Sequence, residues 1–168
     1  MPFLPDPATV ESRRIAALHR HWSDLKRDRP VPLRDDLDPA DIKELLPNVM
    51  LVDIEPEPFR VRYRLVGTEI VTWAKFDFTG FYLDMLTFSD LDDSDVFVDG
   101  YRAVHRTGQP HFARIRTFEF RDRELFYECG LLPLSSDGTA IDKALAIEDY
   151  AHLSPDLLRE MPASGPRG

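Results

Sequence analysis

FRVRYRLV, residues 59–66, decides how the chain folds. Phe59, Val61, Tyr63 and Leu65 alternate with Arg60, Arg62 and Arg64, the period-two pattern of a strand with one buried face and one wet face. Val61, Tyr63 and Leu65 are therefore expected to point inward together. The apolar stretch Val49 to Glu55 lies just before it, and the connecting EPEP reads as a turn, so the two form an antiparallel hairpin. Residues 67–91 follow without a clean period, with short helical turns expected at Ile70 to Lys75 and Leu83 to Leu86. A better helix runs from about Ser94 to Thr107. Its apolar stripe is Phe97, Tyr101 and Val104, its arginines lie late as the helix dipole favours, and Gly108 and Pro110 end it. Three strands then close the chain: His111 to Phe120, Leu125 to Leu134 and Ala140 to Asp149, with RDRE and SSDGT as turns. Two strands, a helical middle and three strands make an α+β domain.

Upstream of the hairpin the chain is broken into short pieces, since nine of its 14 prolines precede residue 59. A first helix is expected after Asp6 with Pro7 at its first position. Ile15, Leu18, Trp22 and Leu25 recur at helical spacing as one apolar stripe, which either covers the domain's own core or forms an interface between two copies. Asp38 and Pro39 signal a second helix, with Leu37 and Ile42 as a hydrophobic staple and Pro47 as its stop. The chain divides into an N-terminal helical extension (1–30), the main domain (31–152) and a C-terminal turn with a disordered tail (153–168).

The 168 residues carry a net charge of −9, which disfavours nucleic acid and anionic lipid as partners. The single cysteine, Cys129, excludes an internal disulfide and a cysteine zinc cluster, and it fits a reducing, cytoplasmic setting. The N-terminus shows no secretory signal, and no apolar run approaches the ~20 residues needed to span a bilayer.

The wording of several segments adds to this order. LRDDLDPADIKELLPNVMLVDIE, FRVRYRLVGTEI, DFTGFYLDML, YRAVHRTGQP and LLPLSSDG resemble the DUF1457/PAS_5 group of small alphaproteobacterial PAS-only proteins, over roughly residues 30–150. The resemblance implies a PAS-like five-stranded antiparallel sheet with helices packed on one face, plus an N-terminal helix. It also implies a cavity suited to a small molecule and a role in signal transduction. Phe81 departs from it, standing where a basic residue would be expected, and so does the ARIRTFEF strand.

Catalytic signatures are missing. There is no GxSxG elbow, the glycines form neither a P-loop nor a dinucleotide loop, and Cys129 beside Glu128 reads as a packed strand residue. His19 and His21, two apart on a helix, do not share a face and are expected to be solvent-exposed, so no metal site is assigned. His105 lies on the long middle helix, where some haem-binding PAS domains offer an axial ligand; here it reads as an exposed neighbour of Arg106, and no cofactor is required. The aspartates at 84, 90, 92, 93, 95 and 99 lack the glycine and glutamate of a calcium loop and read as a solvated rim.

The middle segment carries the functional clue. Trp73, Phe76, Phe78, Phe81, Tyr82 and Phe88 crowd into 16 residues beside irregular backbone. An apolar ligand pocket built from Tyr63, Leu65, Trp73, Phe81 and Tyr101 follows, with tyrosine and tryptophan supplying polar tips. A filled aromatic core is the plainer alternative. Three functions remain open: a non-catalytic sensor or adaptor, acting as a homodimer or on a separate signalling protein; a small cone-like α+β enzyme using Glu69, Asp77 or Glu128; and a structural interaction module. A buried carboxylate with a raised pKa would favour the enzyme.

Overall fold

A computed structural model of the chain describes residues 2–88 and 94–168. Its centre is a five-stranded antiparallel sheet built from β1 (Val49–Pro56), β2 (Phe59–Val66), β4 (His111–Phe120), β5 (Arg123–Leu134) and β6 (Lys143–Asp149), in the order β2-β1-β6-β5-β4. The other elements are α1 (Arg13–Lys26), α2 (Thr68–Ala74), α3 (Ser94–Thr107) and a two-stranded clasp of β3 (Leu86–Thr87) with β7 (Gly165–Pro166). The hairpin, the helical middle and the three closing strands follow the order that the hydrophobic periods dictate. Gly108, at φ +68°, terminates α3 as a left-handed residue must. No helix among the described residues is long and apolar enough to cross a membrane.

The sheet is covered on both faces. One face (Met50, Val52, Ile54, Val61, Tyr63, Tyr127, Cys129, Leu131, Ala144, Ala146) packs against α2, α3 and the C-terminal segment. The other (Val49, Leu132, Leu134, Leu145, Ile147) packs against α1. Ile15, Leu18 and Trp22 are 1%, 0% and 4% exposed, and the Trp22 indole N–H donates to the carbonyl of Pro133 at 2.7 Å. Leu25 is half-buried at the edge of the same cluster. Within this chain the stripe is thus core rather than a surface offered to a second copy.

Several local expectations change. Asp6 caps only the short turn Pro7–Thr9; α1 starts later, where Ser12 Oγ accepts the N–H of Ile15 at 3.1 Å. Asp38 and Pro39 open a single tight turn, Pro39–Ile42, and a further turn at Leu46–Asn48 leads into β1. In the C-terminal tail, β7 pairs with β3. Leu65 is 47% exposed and points away from the core. The register explains it: Leu51 pairs with Leu65 but Val52 pairs with Tyr63, so Arg64 is an extra residue. A bulge of one residue turns every later side chain to the opposite face.

His19 and His21 are half-buried, not exposed, and the His19 ring packs edge-on against Phe112 at 5.2 Å. Burial holds the pKa of His19 below its ordinary value. His105 is likewise half-buried, its Nδ1 lying 2.7 Å from the carbonyl of Ile141 and its ring beside Phe59. Of the acidic segment, Asp84 pairs with Arg60, whereas Asp90, Asp92 and Asp93 lie outside the described residues.

Candidate functional site

The aromatic face of the sheet encloses a cavity of about 30 Å³. Its lining comes from β2 (Tyr63), α2 (Ile70, Trp73), the segment after it (Phe78), α3 (Phe97), β5 (Tyr127) and β6 (Glu148), with Tyr150 and Met161 from the C-terminal segment. Alternation in β2 aims Tyr63 inward, and helical spacing puts Ile70 and Trp73 on the sheet-facing side of α2. The central strand β6 contributes Ala144 and Ala146 to the same face, and these small side chains leave room between sheet and helices.

The rings form a continuous wall. Trp73 stacks on Tyr150 with centroids 5.3 Å apart and planes 21° off parallel, and Tyr150 meets Tyr127 at 5.1 Å. On the other side Tyr63 meets Phe78 edge-on at 4.7 Å, Phe78 meets Phe88 at 5.5 Å, and Phe88 meets Phe97 at 5.6 Å. Edge and offset contacts of this kind satisfy the ring quadrupoles as well as burying area.

Among the described lining residues Glu148 is the one acidic side chain. It is 7% exposed and accepts a hydrogen bond from the Tyr150 hydroxyl. Burial pushes its pKa up to about 7, against the smaller opposing effect of that hydrogen bond. Its backbone is fixed by Asn48, whose side-chain amide donates to the Glu148 carbonyl at 2.8 Å. Tyr101 stands behind Tyr63, hydrogen-bonded to it, and burial raises its pKa well above the ordinary value.

Of the residues expected to form a pocket, Tyr63 and Trp73 line the cavity. Tyr101 supports it from behind. Phe81 packs on Phe76 at 5.4 Å outside the lining, and Leu65 faces away altogether. The three acids expected for an enzyme are elsewhere. Glu69 is exposed and accepts the Trp73 indole N–H at 3.1 Å. Asp77 is exposed, its pKa lowered by hydrogen bonds from Thr79. Glu128 is buried, ion-paired with Arg114 at 3.3 Å and 3.5 Å from His152 Nε2, off the lining. Glu148 escaped the sequence reading. A glutamate following Ala144 and Ala146 at period two, directly after the apolar run Ala144 to Ile147, was the signal available.

Residues 10–147 match the PAS_5 family of PAS domains, so the chain belongs to that family. The match includes α1. Three solved structures are similar to the chain at low identity. One is a light-oxygen-voltage domain studied with a flavin analogue: 13% identity, 72% of this chain and 90% of that one, TM-score 0.47. The Rhodobacter sphaeroides LOV protein gives 16%, 74% of each chain and 0.46. The light-state Aureochrome1 LOV domain gives 14%, 74% of this chain, 94% of that one and 0.44. No curated protein matches the chain. The molecule is a PAS domain, of a fold that serves sensing and signalling.

Proposed function

We propose that this PAS domain is a non-catalytic sensor or adaptor that takes a small molecule into the aromatic cavity and passes the change on through protein contacts. The observation carrying this reading is the cavity itself, an aromatic shell whose lining includes Tyr63, Tyr127, Tyr150 and Glu148. A space of about 30 Å³ suits a single water, so a ligand must displace part of the lining. Output to a second copy or to a separate signalling protein, in a cytoplasmic setting, belongs to the same proposal. With the apolar stripe of α1 turned inward, the exposed Arg13, Arg20 and Asp24 on its outer side are the available contacts.

The enzyme reading draws support from Glu148, whose pKa of about 7 suits a general acid or base. Against it, Glu148 has no second acid or base beside it on the described lining, and the Tyr150 hydroxyl already engages it.

Native mass spectrometry of freshly purified protein, followed by a thermal-shift screen against metabolites, fatty acids and haem, tests the sensor. A retained molecule or a ligand-dependent rise in Tm is the expected result. Tyr63→Ala and Trp73→Ala should cost about 3–5 kcal/mol each and also shrink the ligand-dependent rise. A protein that arrives empty and responds to nothing is a structural module.

A further inference from the structure

We propose that the cavity is a site for a small organic cation, with Glu148 as its counter-ion and the surrounding rings as its cage. The inference rests on the ligand-sensing reading above and adds the class of ligand. A carboxyl group has been carried into the middle of an aromatic shell, and no arginine, lysine or histidine stands among the described lining residues to balance it. Lys75, the cation at the rim, spends its ammonium on the carbonyl of Met161. Trp73, Tyr127, Tyr150, Tyr63 and Phe78 share the lining with the carboxyl, and the faces of such rings attract a desolvated cation. A neutral apolar ligand would gain nothing from Glu148, and an anionic one would be repelled by it. An alkylammonium group meets both halves of the lining at once.

Room for it lies under the C-terminal strap. Met161 is 5% exposed and lines the cavity from this strap. The strap is tied by the Lys75 ammonium to the Met161 carbonyl, the Ser164 N–H to the Ala74 carbonyl at 2.9 Å, the Arg167 N–H to the Met85 carbonyl at 2.8 Å and the Arg167 guanidinium to the Leu86 carbonyl at 2.8 Å. Withdrawal of Met161 joins its volume to the cavity, and an apolar cavity of about 150 Å³ already admits a benzene-sized molecule. A compact quaternary ammonium head is of that size class. The other titratable groups facing Glu148 are Tyr63, Tyr127 and Tyr150 on the lining, with Tyr101 and Cys129 behind them. Because burial holds the carboxyl near 7, binding of a cation must be coupled to loss of its proton.

Isothermal titration of the full chain with choline chloride and with its uncharged isostere 3,3-dimethylbutan-1-ol, at pH 6 and pH 8, tests the assignment. Choline should bind at least ~10-fold more tightly than the isostere, about the worth of one desolvated cation–π contact. Its Kd should fall about tenfold from pH 6 to pH 8, as the ionised fraction of a group near 7 rises. Glu148→Gln should fold with an unreduced Tm and erase both the preference and the pH dependence, and Met161→Ala should tighten binding. Equal binding of choline and the isostere overturns the cation assignment while leaving the ligand-sensing reading in place. No binding of either compound to wild type or to Met161→Ala overturns the cation assignment, and a screen in which nothing else binds then removes the sensing reading too.

Discussion

The two faces of the sheet are built from different chemistry. Beneath α1 the packing is mostly aliphatic: Ile15, Leu18, Val49, Leu132, Leu134, Leu145 and Ile147 meet with Trp22, and the single indole N–H has its carbonyl. Across the sheet, less than one strand's thickness away, stand tyrosines, a tryptophan and a carboxyl around a void. Branched aliphatic side chains fill space with few rotamers and no polar atoms to satisfy, so they make a rigid back wall. Aromatic residues with hydroxyls leave gaps and demand partners, and a buried acid costs stability whenever it ionises. One face holds the shape; the other stores a polar group that the shape alone does not need.

Breaking the back wall should have the largest effect. Deleting residues 2–26 uncovers Leu132, Leu134, Leu145 and Ile147, and the truncated chain should be insoluble or molten. A soluble truncation with a sharp thermal transition would mean that α1 is dispensable cladding. Trp22→Ala leaves a hole and an unpaired carbonyl, and urea denaturation should read a loss of about 3–5 kcal/mol. Ligand response should survive that change, because Trp22 does not touch the cavity.

The aromatic face should instead show itself through pH. Glu148 has a folded-state pKa of about 7, above the ordinary ~4.3 of an exposed glutamate in the unfolded chain. Between these values the folded state holds a proton that the unfolded state has lost, so stability is greatest below pH ~4.3 as far as this group is concerned. It declines as pH rises towards 7 and then levels off, by roughly 3–4 kcal/mol in all. Glu148→Gln should flatten this decline in a series of urea melts from pH 5 to pH 8. An unchanged slope in the variant would place the titrating group elsewhere. The smallest effect belongs to Leu65→Ser, expected to cost under ~0.5 kcal/mol because the side chain is exposed. A cost of several kcal/mol would mean that β2 runs without its bulge and that Leu65 is core after all.

Alternation and helical spacing reveal elements that repeat long enough to have a period. The arginine-spaced β2, the long β4 and the amphipathic α3 were legible on that ground. Pro39–Ile42 was over-read because a cap signal marks where a helix can start and says nothing of how far it runs; four residues sufficed here. The bulge at Arg64 left no trace in FRVRYRLV, since alternation continues in the letters while the register slips in space. The cavity was half legible. Tyr63 and Trp73 carry their own orientation, but Phe81 depended on how irregular backbone is threaded, and the helical period that turns Tyr101 inward does not say that Tyr63 stands between it and the cavity. Glu148 stayed hidden because a strand buried on both faces gives no polar side to compare it with.

The bulge has a consequence beyond the direction of one leucine. β2 is an outer strand, and its free side presents backbone groups that another extended chain could join. Arg64, the extra residue, reaches Asp53 instead of continuing a flat ladder, and Arg60 lies 3.6 Å over the ring of Tyr82. The Tyr63 N–H and carbonyl are already taken by Phe81 and Gly80. A twisted, arginine-studded and partly occupied border of this kind turns away a sixth strand, so copies of the molecule cannot zip into a continuous ribbon through β2.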